Sequence, residues 1–152
     1  MKIRLLEKIR SDLRAQLARL AKAAYEAHAA ATDPGSKAES KYDTRNLEAS
    51  YLAAGQARHV DELAASLHTF EALTLVDFGP GQAIDAGAFV QVRLHGEVAY
   101  FLLVPTAGGM EIQHEDMEIT LLSPESPLYR NLLGMRSGES LEMPALTITE
   151  IR

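Results

Sequence analysis

The chain contains no cysteine and no tryptophan. The first absence excludes a disulfide framework, an iron–sulfur cluster, a thiolate zinc site and a cysteine nucleophile. The second, with aromatics at only 6%, removes most of the stacking surface on which single-stranded nucleic acid rests. An excess of basic charge is also missing. The net charge is −6 and the pI near 5.3, whereas a general duplex-DNA binder carries a positive surface. No apolar run approaches the ~18 residues of a membrane span, so no membrane partner is expected. The opening residues, Met1 to Arg10, lack the apolar block of a signal peptide. What remains is a globular composition, 47% hydrophobic and 24% charged over 152 residues, enough for one ordinary domain or two small ones. A soluble protein of the reducing cytoplasm fits these absences.

The total charge hides an asymmetry. Through Leu73 there are 11 Lys and Arg against 10 Asp and Glu; from Thr74 onward there are 4 against 11. The basic residues crowd the beginning, where Lys2, Arg4, Lys8, Arg10, Arg14, Arg19 and Lys22 face only Glu7 and Asp12. A solvated helix face explains such a run as readily as a binding patch does.

The first 73 residues hold one proline, Pro34, and two glycines, Gly35 and Gly55. Leu6, Ile9, Leu13, Leu17, Leu20, Ala24, Ala27 and Ala31 recur at spacings of three and four, the stripe of a helix with a coiled-coil-like seam. Asp33-Pro34-Gly35-Ser36 ends that helix, because proline removes a donor and restrains its predecessor. A second series, Leu47, Tyr51 or Leu52, Val60, Leu63, Leu67 and Phe70, runs to about Leu73, with Gln56 and His59 interrupting the seam. Two long helices about a break predict an antiparallel hairpin; a helix of about 30 residues is roughly 45 Å long. The segment 36–46 lacks periodicity and reads as its tip.

From Thr74 glycine becomes frequent and β-branched residues gather in short runs. Ala88–Leu94 and Glu97–Val104 flank His95-Gly96, a tight hairpin signal. Gly108-Gly109 marks another turn, and Met117–Leu122 and Leu146–Ile151 alternate as strands. Ser126-Pro127 reads as a helix cap with proline at the first helical position, and Gly134 as the stop. The expectation is an α+β protein with a hairpin domain over 1–73 and a small β domain with one short helix over 74–152. After Met143-Pro144 one strand is expected, with little room for a full closing hairpin.

Few constellations carry chemistry. His59 and His68 lie nine residues apart, outside metalloprotease spacing. His114-Glu115-Asp116 reads as a solvated turn. Gly79-Pro80-Gly81-Gln82 has no lysine and opens no helix, so it is not a phosphate loop. Serines and histidines show no nucleophile motif. The hairpin tip is richer, with Asp33, Glu39, Asp43 and Glu48. Carboxylates at the end of a slender hairpin suit a magnesium ion, which takes one or two of them and keeps its waters. Asp43 and Glu48, five apart, would point about 140° apart if both were helical; a soluble turn needing charge is the plainer explanation.

At this point the chain resembles the bacterial Gre family of transcript-cleavage and elongation factors. The resemblance rests first on Ser126-Pro127-Leu128-Tyr129-Arg130-Asn131-Leu132-Leu133-Gly134-Met135-Arg136-Ser137-Gly138-Glu139, which matches the family's Ser-Pro-x-x-Arg-x-Leu-[Leu/Ile]-Gly-x-x-x-Gly-[Asp/Glu] segment and, like it, follows a strand. It rests also on hairpin length, domain order and Tyr51. It implies a coiled-coil hairpin followed by an FKBP-like β domain. It implies docking on bacterial RNA polymerase through Ser126 and Pro127, with the hairpin entering the secondary channel. Two tip acids, here Asp43 and Glu48, would hold magnesium in the polymerase's own active site, which then cleaves backtracked RNA. Arg10, Arg14, Arg19 and Lys22 would face the nascent RNA 3′ end. The protein would be an accessory factor, not an enzyme, with no cofactor of its own beyond this shared magnesium.

The tip departs from the family's Gly-Asp-Leu-x-Glu-Asn-Ala-Glu-Tyr. With Tyr51 aligned, Thr44 and Leu47 take the two acidic positions, and Asp43 and Glu48 each sit one residue away. A channel-occupying regulator without cleavage is therefore the alternative. A third possibility is an FKBP-like peptide-binding or prolyl-isomerase module, which would need an aromatic pocket drawn from Phe78, Phe89, Tyr100, Phe101 and Tyr129.

Overall fold

A computed structural model describes the backbone of residues 1–32 and 45–152, and side chains outside 30–53. Two long helices come first, α1 (Lys2–Thr32) and α2 (Arg45–Ala72). They form the helical hairpin that the apolar spacing predicts. On α1, Leu6, Ile9 and Leu13 are buried, and Leu17, Leu20, Ala24 and Ala27 are half-buried along the same stripe. On α2, Gln56, Val60, Leu63, Leu67 and Phe70 form the matching row, with only Phe70 fully enclosed. The seam is deep as far as Leu13 and shallower beyond it, at Leu17 and Leu20 as well as at the alanines.

The β half has six strands: β1 (Phe89–Leu94), β2 (Glu97–Leu103), β3 (Glu111–His114), β4 (Met117–Leu122), β5 (Ser140–Glu142) and β6 (Ala145–Ile151). Their order in the sheet is β3-β4-β2-β1-β6-β5. The first hairpin turns at His95 and Gly96, with φ of 52° and 81°, the left-handed pair that a two-residue turn requires. β3 then forms the edge, and β4 folds back between β3 and β2, pairing parallel to β2. A short helix, α3 (Pro127–Leu132), carries the chain across to β5.

Alternation along the strands fills two faces. Val90, Val92, Phe101, Leu103, Leu122, Leu146 and Ile148 make one core, closed by Tyr129 and Leu132 of α3. Phe89, Leu102, Ile112, Ile119 and Leu121 are buried as well. A register shift occurs between Gln91 and Val92, where the Thr149 hydroxyl donates to the Gln91 carbonyl at 3.0 Å, giving the strand a local bulge.

The closing hairpin corrects the sequence expectation. β5 needs only three residues, Ser140 to Glu142, to pair with β6 on the far side of Met143-Pro144. A strand so short, with a single leucine, carries no alternating signal.

By contacts the chain divides into two compact units, Met1–Ile9 with Thr69–Arg152, and Arg10–His68. The first unit thus includes the beginning of α1, whose Leu5, Leu6 and Ile9 are wholly or almost wholly enclosed. Lys2 belongs to it too. This lysine is only 3% exposed, and its Nζ donates to the carbonyls of Val76 (2.5 Å) and Gly87 (2.9 Å). It also lies 4.7 Å from the centre of the Phe78 ring. The sequence shows Lys2 only as one member of a basic run, read equally as a solvated face or a binding patch; here it is a buried tie. No helix among the described residues is long and apolar enough to cross a membrane.

Candidate functional site

The site with resolved geometry is the loop from Ser123 to Pro127 and the helix it opens. β4 ends at Leu122, and Pro127 starts α3, fixing φ where a helix has no use for the N–H. Tyr129 and Leu132 anchor the helix in the core. Gly134 ends it with φ of 82°, and its N–H donates to the Ile84 carbonyl at 2.8 Å. Cap position, proline and glycine stop all stand where the sequence puts them. Ser126 occupies the cap, yet its hydroxyl makes no cap hydrogen bond. Pro127 is exposed and Ser126 half-buried.

The loop before them is cross-braced. The Ser126 N–H donates to the Ser123 carbonyl at 2.9 Å. Ser123 is buried, and its hydroxyl donates to Glu125 Oε2 at 2.6 Å. That bond and a backbone hydrogen bond hold the Glu125 carboxyl below its ordinary range. Arg130, one turn into α3, donates from one guanidinium nitrogen to the carbonyls of Pro124 (2.9 Å) and Glu125 (3.1 Å). Beneath the loop, Gly108 approaches Ser123 so closely that a methyl there would collide with the Ser123 hydroxyl and lie 2.9 Å from its Cβ. The sequence motif contains Arg130 without indicating its task; Ser123 and Gly108 read only as loop and turn.

The remaining candidates stand elsewhere. Asp43 lies outside the described residues. Glu48 falls in the first turn of α2, which begins at Arg45, and its side chain is likewise outside them. Arg10, Arg14, Arg19 and Lys22 all lie on α1. Arg10 and Arg14 are about 40° apart around the helix, while Arg19 is about 180° and Lys22 about 120° from Arg10. The four form two pairs on different faces, and Lys22 lies 4.0 Å from Glu26.

His114-Glu115-Asp116 spans the β3–β4 turn. His114 Nε2 is buried without a hydrogen-bond partner, 4.0 Å from Glu115 Oε1. Among the described residues no three His, Asp or Glu side chains gather as a metal site. Of the five aromatics, Phe89, Phe101 and Tyr129 are buried, Phe78 packs against the core, and Tyr100 stacks on Phe89 at 5.8 Å. A cavity of about 320 Å³ is lined by Leu73, Val76, Leu103, Pro105, Pro124 and Tyr129 among others, with Tyr129 its sole aromatic wall.

No family model matches the chain, and no curated protein does. Among solved structures it is similar to Gfh1 of Thermus thermophilus, described as GreA factor homolog 1, at 24% identity over 94% of each chain with a TM-score of 0.37. It is similar also to Thermus aquaticus Gfh1, at 22% identity over 93% of this chain and 92% of that one, with a TM-score of 0.37. A further structure, titled the transcription factor Gfh1, shares 22% identity over 94% of this chain and 92% of its own, with a TM-score of 0.39.

Proposed function

We propose that the protein is a Gre-like regulator of transcription elongation that binds bacterial RNA polymerase and acts through the polymerase's catalytic site. The observation that carries this reading is the folding of the Ser126–Glu139 segment. The residues that resemble the family's docking segment form a braced surface loop, with Pro127 presented at the start of a short anchored helix. Ser126, with no cap bond to make, keeps its hydroxyl available to a partner.

In this reading the hairpin of α1 and α2 enters the secondary channel, bringing Asp43 and Glu48 toward the polymerase active site. Their carboxylates are hard donors of the kind magnesium accepts while retaining its waters; when bound, the ion supplies an activated water for hydrolysis of backtracked RNA. The bases of α1 attract the RNA 3′ end through the field they create. A second reading, occupancy of the channel without cleavage, is favoured by one observation: with Tyr51 aligned, Thr44 and Leu47 stand at the family's acidic positions.

The test uses stalled, backtracked elongation complexes of the native polymerase with magnesium, with and without the protein. Stimulated cleavage that is lost in Asp43→Ala and Glu48→Ala supports the first mechanism. Binding with inhibition, unchanged in those variants, selects the second. Absence of binding overturns the polymerase reading.

A further inference from the structure

We infer that Arg130, together with Ser123 and Gly108, is a positioning device for the docking loop: it holds residues 123–126 in one conformation so that Ser126 and Pro127 meet the partner already ordered. This inference rests on the polymerase-binding reading and goes beyond it by separating the residues that touch the partner from those that shape what is touched.

The loop is tied at each of its residues. Ser123 is held from below by Gly108, which leaves no room for a side chain at that position. Pro124 and Glu125 are held at their carbonyls by a single Arg130 nitrogen. The Glu125 carboxylate is turned back onto the Ser123 hydroxyl, and Ser126 closes the turn through its N–H to the Ser123 carbonyl. Arg130 is itself on α3, whose Tyr129 and Leu132 are fixed in the core. Loop geometry is thereby referred to the sheet.

Such bracing has a physical consequence for binding. A surface loop that orders only on contact gives up part of its interaction free energy to that ordering, and a preorganised one does not. The guanidinium suits the task because the two N–H groups on its terminal nitrogen are held in one plane, so a single nitrogen serves both carbonyls. A lysine reaches the same region with a point charge on a more flexible stem and so restores the ties only in part.

The experiment measures affinity for native RNA polymerase by competition, with the thermal midpoint of each variant alongside. Arg130→Ala is expected to bind about tenfold more weakly, a loss of about 1.4 kcal/mol, with its melting nearly unchanged; Arg130→Lys should recover part of it. Gly108→Ala, which acts from the other side of the loop, should weaken binding similarly. The decisive readout is the double variant of Arg130→Ala with Pro127→Ala. If Arg130 acts through the loop, the double variant binds little worse than Pro127→Ala alone. Fully additive losses would show that Arg130 touches the polymerase itself and overturn the inference, as would wild-type affinity in both Arg130→Ala and Gly108→Ala. Should Arg130→Ala melt early, Arg130→Lys and Gly108→Ala in the same cycle decide the matter. Failure of the wild-type protein to bind, or indifference to Pro127→Ala and Ser126→Ala, sinks the docking reading instead and is distinguishable from both.

Discussion

The buried Lys2 ammonium makes a sharp prediction about pH. Its enclosure lowers the pKa from 10.5 to about 8, against the pull of the nearby Asp77 carboxylate. The unfolded chain therefore holds this proton more firmly between about pH 8 and pH 10.5, so the folded state gains stability as pH rises through that window. The whole effect is about 3 kcal/mol, at about 1.4 kcal/mol per tenfold in proton affinity. Between pH 7 and about pH 9.5 the lysine alone adds about 2 kcal/mol. Lys2→Met keeps the stem and removes the amine. It leaves the Val76 and Gly87 carbonyls without their donor, at a cost of roughly 1–3 kcal/mol for each such acceptor that stays buried, reduced at pH 7 by relief of the desolvated charge. The assay is urea unfolding of both proteins at pH 7 and about pH 9.5, followed by NMR signals of β1 and β2. Other titrating groups cancel in the difference. Whatever the difference at pH 7, the stability of wild type relative to Lys2→Met should rise by about 2 kcal/mol at the higher pH. Parallel pH profiles would show that the ammonium is not desolvated and refute the reasoning.

Other expectations concern the β unit. Leu132→Ala, in the closed core, should cost about 2–5 kcal/mol in urea unfolding, where a loss under 1 kcal/mol would mean that α3 is not anchored as described. Gly134→Ala has open space around it but a φ of 82°, so it should lose about 1–2 kcal/mol through backbone strain alone. The Glu125 carboxyl should titrate below 4.5 in an NMR pH series, and Ser123→Ala should return it toward that value, because the serine hydroxyl is the main cause of its shift. Under the proposed polymerase-binding function, the depressed carboxyl favours the braced loop only while ionised, so affinity should fall as pH drops through the Glu125 pKa, and Ser123→Ala should weaken that dependence.

Much of the architecture was legible because it follows from periodicity. The leucine spacing of α1 ends at Asp33-Pro34, and the helix ends at Thr32. His95-Gly96 and Ser126-Pro127 signal their turn and helix start through residues whose backbone preferences are strong and local. What escaped was short or long-range. β3 has one apolar residue, Ile112, in four, and β5 has one, Leu141, in three, so neither can alternate visibly. Lys2 bonds partners 74 and 85 residues away, and nothing near it in sequence distinguishes it from Arg4 or Lys8. The Ser126–Glu139 segment was legible as a motif, but the bracing around its first residues was not, since Gly108 meets Ser123 only after β3 and β4 have folded back.

The discontinuity of the sheet unit has a consequence for biosynthesis. Lys2, Leu5, Leu6 and Ile9 are made well before the residues from Thr69 onward, yet they belong with them. At about 5–20 residues per second, the 59 residues between Ile9 and Thr69 take about 3–12 s to synthesise, and the sheet itself takes longer. Throughout that interval the opening turns of α1 wait on the ribosome with an apolar face and a lysine whose acceptors do not yet exist. β6, made about fifty residues after β1, pairs with it in the middle of the sheet, so the sheet closes only once the residues up to Ile151 have been made.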